Sequence, residues 1–236
     1  MCGIFGSREF SIYEKLYIEN KRRGNFAGGS IYTRGTGSMY LQKWEGVKDS
    51  RELTGEWSMQ EEYNMFLGHT QAPTGSKRTY KSNTTHPFEH GCWIVAHNGV
   101  LENDDNIREN NLGDTTGFYS GSVYSTKEIP VDSAVIPALI DNYDDYKGQD
   151  VDAISNAMSR LKGTFGCWLY SKHTNQTYLT RSGSTIFANI ETGDFSSIYV
   201  PGTCETSLEE GVIYCITMEG LAEVGNFDTH SPFFIF

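Results

Sequence analysis

Met1-Cys2-Gly3-Ile4-Phe5-Gly6 opens the chain, and Cys92-Trp93-Ile94-Val95-Ala96-His97-Asn98-Gly99 runs through its middle. In the first stretch a cysteine precedes a short apolar run with a glycine at each end. Initiator methionine is usually removed when the second residue is small, so the mature chain is expected to begin at Cys2. A terminal cysteine carries nucleophile and base in one residue: the thiol has an ordinary pKa near ~8.5 and the freed α-amine one near ~7.7–8. By itself Met-Cys is an ordinary start. Gly3 and Gly6 allow close backbone approach, so a short strand starting at Cys2 is expected to present the thiol at the edge of a sheet. The second stretch is an apolar strand ending in His97-Asn98-Gly99. Asn-Gly after a strand is a tight-turn signal; beside a nucleophile, the Asn98 side-chain amide and the Gly99 N–H become an oxyanion hole.

Further apolar runs rich in β-branched and aromatic residues read as strands, bounded by Gly, Asn, Asp or Ser. In the first half they cover Gly3 to Phe5, Ser30 to Thr33, Ser38 to Trp44, Met65 to His69 and Cys92 to His97. In the second half they cover Thr164 to Tyr170, Thr177 to Arg181, Thr185 to Ile190, Ser197 to Val200, Val212 to Thr217 and Leu221 to Val224. Three stretches have helical periodicity. Ile12 and Leu16, with Tyr13 and Tyr17, repeat at i, i+4. Asp132 is placed as N-cap of a helix running through Ser133 to Ile140, with a kink expected at Pro137. Val151, Ile154, Met158 and Leu161 line one face of a third helix, which Gly163 is suited to end. Many strands with helices between them give an α+β class, sheets covered by helices, in a single domain over residues 1–236.

The 236 residues carry 30 acidic and 19 basic side chains, a formal net charge of −11. That balance disfavours nucleic-acid and anionic-membrane partners, which require clustered Lys and Arg. No stretch approaches the ~18 apolar residues that span a bilayer, and the N-terminus lacks a secretory signal. The five cysteines form no CxxC pair, so neither a disulfide framework nor a zinc ribbon is indicated. A soluble, cytoplasmic protein is expected, with Cys92, Cys167 and Cys215 as core residues. His90, His173 and His230 lack partners at ligand spacing; neither a metal site nor a cofactor is assigned. A third polar cluster, Gly68-His69-Thr70-Gln71-Ala72-Pro73-Thr74 with Thr85-His86-Pro87-Phe88, either lines a pocket for a small polar substrate or bonds a loop.

Taken together, these segments resemble the class II glutamine amidotransferase domain, an N-terminal-nucleophile hydrolase. The resemblance follows chain order over nearly the whole sequence. It includes Met1 to Gly6, a degraded arginine-glycine-aspartate loop at Arg23-Gly24-Asn25-Phe26-Ala27-Gly28-Gly29, Gly68-His69-Thr70 and Thr74, and His86-Pro87. It continues through His97-Asn98-Gly99 with Asn103, Asp132-Ser133, Leu161-Lys162-Gly163-Thr164-Phe165-Gly166 and Arg181-Ser182-Gly183-Ser184. It implies a four-layer αββα sandwich; relatives commonly continue into a synthase domain, and this chain is expected to depart from them in having none fused. It also implies attack by Cys2 on the glutamine side-chain amide to give a γ-glutamyl thioester and ammonia for a separate synthase subunit. In that scheme Asn98 and Gly99 stabilise the oxyanion, Asp132 holds the substrate α-ammonium, and Thr74 and His86 occupy pocket positions. The family usually has an arginine for the α-carboxylate where this chain has Gln71. A neutral hydrogen bond contributes about 1 kcal/mol, against roughly 1.5–3 for a charge-assisted one. Either Arg78 supplies the missing charge, or the substrate is not free glutamine. Two other readings stand beside the amidotransferase subunit: a hydrolase of another γ-glutamyl compound, and a silent binding or regulatory module of the same fold. The apolar tail Pro232 to Phe236 is expected as a final strand or a docking element.

Overall fold

The computed structural model describes residues 2–53, 63–72, 80–110, 118–119, 123–124, 131–144 and 149–230. The tail from Pro232 lies outside them. In the first half the elements are β1 (Gly3–Ser7), α1 (Phe10–Asn20), β2 (Ala27–Thr33), β3 (Met39–Glu45), α2 (Ser50–Leu53), β4 (Met65–Gln71), β5 (Phe88–His90), β6 (Trp93–Leu101) and α3 (Asp104–Asn110). The middle holds β7 (Phe118–Tyr119), β8 (Val123–Tyr124), α4 (Val135–Tyr143) and α5 (Asp150–Met158). Then come β9 (Gly163–Ser171), β10 (Gln176–Ser182), β11 (Phe187–Ala188), β12 (Phe195–Ser196), β13 (Thr206–Ser207), β14 (Val212–Thr217) and β15 (Gly220–Asn226).

Two antiparallel sheets result, one in the order β13-β11-β12-β1-β4-β2-β3 and the other β15-β14-β10-β9-β6-β5-β7-β8. Strand alternation sorts the apolar side chains into three cores. Ile4, Ile31, Leu67, Ile94, Ala96, Trp168 and Leu179 meet between the sheets. Phe5, Tyr32 and Phe66 face the other way, onto Tyr13, Leu16 and Tyr17 of α1. Val95, Phe165, Cys167 and Leu169 pack against α4 and α5. The order of layers is therefore helix, sheet, sheet, helix: the αββα sandwich. Each fully buried aliphatic or aromatic side chain contributes about 1.5–3 kcal/mol. The Trp168 indole also ties the two sheets, donating from Nε1 to the Gly68 carbonyl at 3.0 Å. No helix among the described residues is long and apolar enough to cross a membrane.

Several local expectations change. The helix expected to be capped by Asp132 begins as a 3-10 turn over Asp132–Ala134 and becomes α-helical at Val135. Asp132 is not the residue before the turn, which is Val131, but its first residue; its carboxylate accepts from Ser133 N within the turn and from Leu101 N at the adjacent strand end. Pro137 falls within the first turn of α4, where an N–H has no intrahelical partner to lose. The third helix ends at Met158, and Leu161 enters the core from a turn in which its N–H donates to the Met158 carbonyl. Gly163 is not a helix cap but the first residue of β9, with φ +116°. Of Thr185 to Ile190 only Phe187–Ala188 forms a strand, because Asn189 turns the chain by accepting from Glu191 and Gly193 N–H groups. The strand expected at Ser197 to Val200 lies at Phe195–Ser196. Cys167 and Cys215 are buried as expected, whereas Cys92 is half-exposed.

Candidate active site

The strand that follows Cys2 is not the expected edge strand: β1 sits between β12 and β4, which both hydrogen-bond to it, with Gly3 opposite Thr70 and Phe5 opposite Gly68. Gln71 comes one step beyond that register, on the side of Cys2. Ile4 points into the core between the sheets, so Cys2, two residues earlier, shares that inner face; it is half-buried. The outer side of Gly3 is closed. A Cβ there would lie 2.7 Å from Thr70 Oγ1 and 2.8 Å from Asn20 Oδ1. Neither neighbour is loose: Asn20 Nδ2 donates to Leu16 O and Ser196 Oγ, both at 2.8 Å, and Thr70 Oγ1 donates to Asn20 O at 3.0 Å. Ser197 braces the next residue, accepting from Ile4 N at its Oγ (2.7 Å) and donating from its own N–H to Ile4 O (2.8 Å).

Arg23 reaches the same corner. Its Nη1 donates to Ser197 O at 2.8 Å and to Thr185 Oγ1 at 3.4 Å. Burial lowers its pKa, and the electrostatic influence of Cys2 opposes that shift; by reciprocity the guanidinium favours the thiolate. The sequence marked Arg23 only as part of a matching loop. Its signal was the Arg-Gly pair, since a Cβ on Gly24 would sit 2.3 Å from Ala72 N, and only glycine lets this loop lie against the end of β4.

Asn98 and Gly99 are not in a tight turn. β6 continues through them to Leu101, pairing Asn98 with Gly166, Gly99 with Phe165 and Leu101 with Gly163 on β9. Asn98 shares the inner face of Ile94 and Ala96, and its buried Nδ2 has no hydrogen-bond partner among the described residues. Gly99 has φ +149°, and a Cβ there would lie 2.0 Å from Thr164 O. The two sides of the site meet through Ser184, next to Thr185: its Cβ is 3.6 Å from the position a Gly166 Cβ would take. Asp132 closes the end of β6, its Oδ2 accepting from Leu101 N at 2.9 Å and its Oδ1 from Ser133 N at 2.8 Å. Ser133 Oγ lies 2.8 Å from His97 Nδ1. Desolvation lowers the pKa of buried His97 while Asp132 opposes the shift, so a neutral imidazole links strand and turn.

Gln71 is 2% exposed. Its Nε2 donates to Thr84 O at 3.4 Å, and its buried Oε1 has no partner among the described residues. His86 is also buried and stacks on His69 with ring centroids 3.9 Å apart. Residues 82–86 are pressed onto the inner face of β2 and β3: a Cβ on Gly29 would meet His86 O at 2.1 Å, and Lys43 Nζ donates to Thr85 O at 2.8 Å and Ser82 O at 3.1 Å. Thr74 and Arg78 lie outside the described residues. Thus Cys2, Gln71 and Asn98 take inner-facing positions on the two sheets, Gly99 and Asp132 stand at the end of β6, Arg23 reaches the corner beside β1, and His86 belongs to the loop that flanks Gln71.

No family model matches the chain. In sequence it is similar to the glutamine--fructose-6-phosphate aminotransferase (isomerizing) of Staphylococcus epidermidis, 22% identical over 198 residues, which are 82% of this chain and 31% of that protein. The protein of the same name from Aquifex aeolicus is 25% identical over 199 residues, again 82% of this chain and 31% of the relative. The chain thus spans about a third of the length of the curated relatives it matches. Among solved structures, glutamine phosphoribosylpyrophosphate amidotransferase from B. subtilis superposes with a TM-score of 0.68 at 19% identity, over 95% of this chain and 49% of that one. In sequence the chain is similar to these glutamine-dependent aminotransferases, and its four layers have the fold of the glutamine phosphoribosylpyrophosphate amidotransferase.

Proposed function

We propose that this chain holds a glutaminase domain that hydrolyses the side-chain amide of glutamine at Cys2 and passes the ammonia to a synthase domain or subunit. The observation that carries the reading is the buried Asn98 Nδ2, a donor with no acceptor among the described residues, on the inner face of its sheet, toward which Cys2 points from the inner face of the other. A buried donor without a partner is unfavourable at rest and favourable once a negative oxygen arrives. After removal of Met1, the α-amine takes the thiol proton and the thiolate attacks the amide carbon. The carbonyl oxygen becomes an oxyanion that accepts from Asn98 Nδ2 and the Gly99 N–H. The C–N bond then breaks, the α-ammonium returns its proton to the leaving nitrogen, and ammonia departs. Water attacks the γ-glutamyl thioester by the same route, giving glutamate and free Cys2. Asp132 faces the substrate α-ammonium, since its Oδ2 keeps a lone pair beyond the bond from Leu101 N.

Ammonia release from L-glutamine tests this, using protein whose intact mass shows that Met1 is gone. Cys2→Ala is expected to abolish release, and Asn98→Ala to lower kcat by about 10²–10³-fold with a smaller change in KM. Release by Cys2→Ala at the wild-type rate overturns the assignment.

A further inference from the structure

We infer that the preferred substrate is a glutamine whose α-carboxyl is already in amide linkage, namely the N-terminal glutamine of a peptide; the inference rests on the reading of Cys2 as nucleophile. It starts from the orientation of the Gln71 carboxamide. Gln71 follows Thr70, the partner of Gly3, so it comes one step beyond the β1–β4 register on the side of Cys2, and alternation puts it on the inner face with Leu67. Nε2 points at the Thr84 carbonyl oxygen, 3.4 Å away. Turning the amide over would set Oε1 against that oxygen, so the network fixes which end is which. The group left over is Oε1, an acceptor that is buried and has no donor among the described residues.

The lengths match. In a glutamine substrate three bonds separate the attacked carbon from the α-carbon. Three bonds likewise separate the Gln71 carboxamide carbon from its own Cα, on the strand beside Cys2. With the substrate amide at Cys2, its α-substituents come level with Gln71 Oε1. A free α-carboxylate brings two more acceptor oxygens to that point, where the buried Gln71 Oε1 is itself an acceptor. Arg23 does not offset this through Nη1, which is engaged by Ser197 O and Thr185 Oγ1. An α-carboxamide instead supplies a neutral group whose N–H donates to Gln71 Oε1, while the α-ammonium still meets Asp132. The reaction balances as glutaminyl peptide plus water giving glutamyl peptide plus ammonia, through the same thioester.

The test compares L-glutaminyl-glycine with L-glutamine on the full chain. Binding to Cys2→Ser protein is measured by calorimetry, and turnover by wild-type protein through ammonia release, with mass spectrometry of the glutamyl-glycine product. Expected are a Kd at least tenfold lower and a kcat/KM at least tenfold higher for the dipeptide. Gln71→Arg, which replaces the acceptor by a cation, is expected to reverse the preference. Glutamine bound by the Cys2→Ser chain as tightly as the dipeptide, or neither compound bound, overturns the inference without recourse to the Gln71 variant. Tenfold tighter dipeptide binding with no ammonia from either compound supports the substrate class and overturns the nucleophile assignment instead.

Discussion

Position 3 is where sterics and chemistry meet most closely. Thr70 and Asn20, which a Cβ would strike, are each held by hydrogen bonds to α1 or β12. Gly3→Ala therefore shifts the start of β1 and displaces the thiol without touching it. The expected outcome is at least a tenfold fall in ammonia release, with about 1–3 kcal/mol lost in urea unfolding; full activity would show that β1 tolerates the methyl group. Residues of this kind were legible in the sequence because their identities are chemically or sterically required. Cys2, Asn98 and Gly99 stood out for the groups they carry, and Gly3 and Gly6 for the side chains they lack. Arg23 was not legible as a site residue. Its place beside Cys2 depends on Ser197 and Thr185, and no local pattern connects positions so far apart in the chain.

Among the elements, the segment from Ser82 to Pro87 is tied to β3 by a lysine. Lys43 holds it through the carbonyls of Ser82 and Thr85, and burial pushes the lysine's pKa down to about 7. An unfolded lysine titrates near ~10.4. Between those values the unfolded chain holds a proton that the folded chain has released, so folding gains stability as pH rises from about 7 towards 10. Below about 7 both states are protonated, and the contribution stays at its unfavourable limit. Measured against Lys43→Met, wild-type Tm is expected to improve steadily between pH 7 and 10; a constant difference would mean that Lys43 titrates normally. The elements themselves were legible wherever period and face agreed, as in α1, where Tyr13, Leu16 and Tyr17 are buried. Boundaries failed where a polar side chain took a tertiary partner. Asp132 carries the residue type of a cap but bonds Leu101 N across the turn. The helix Asp104–Asn110 escaped notice because Ile107 is its only buried residue, leaving no apolar stripe to read.

For the whole molecule, the sheets meet through apolar side chains from both inner faces and the Trp168–Gly68 hydrogen bond. Trp168→Phe removes that donor and part of a ring that is 0% exposed. About 1–3 kcal/mol of stability should be lost, measurable in urea; no change would assign the tie between the layers to packing alone. The layer order was legible as a resemblance, since alternation separates two faces of a strand but does not say which sheet either face meets. The strand order was not, because β1 pairs with β4 and β12, distant segments whose pairing leaves no mark on either sequence. That pairing also sets a schedule. The backbone that fixes the direction of the residues at the start of β1 is completed only at Ser196 and Ser197. A growing chain therefore holds the Cys2 thiol without the neighbours that orient it until those distant residues have been made, and any reactivity that depends on that orientation appears late in synthesis.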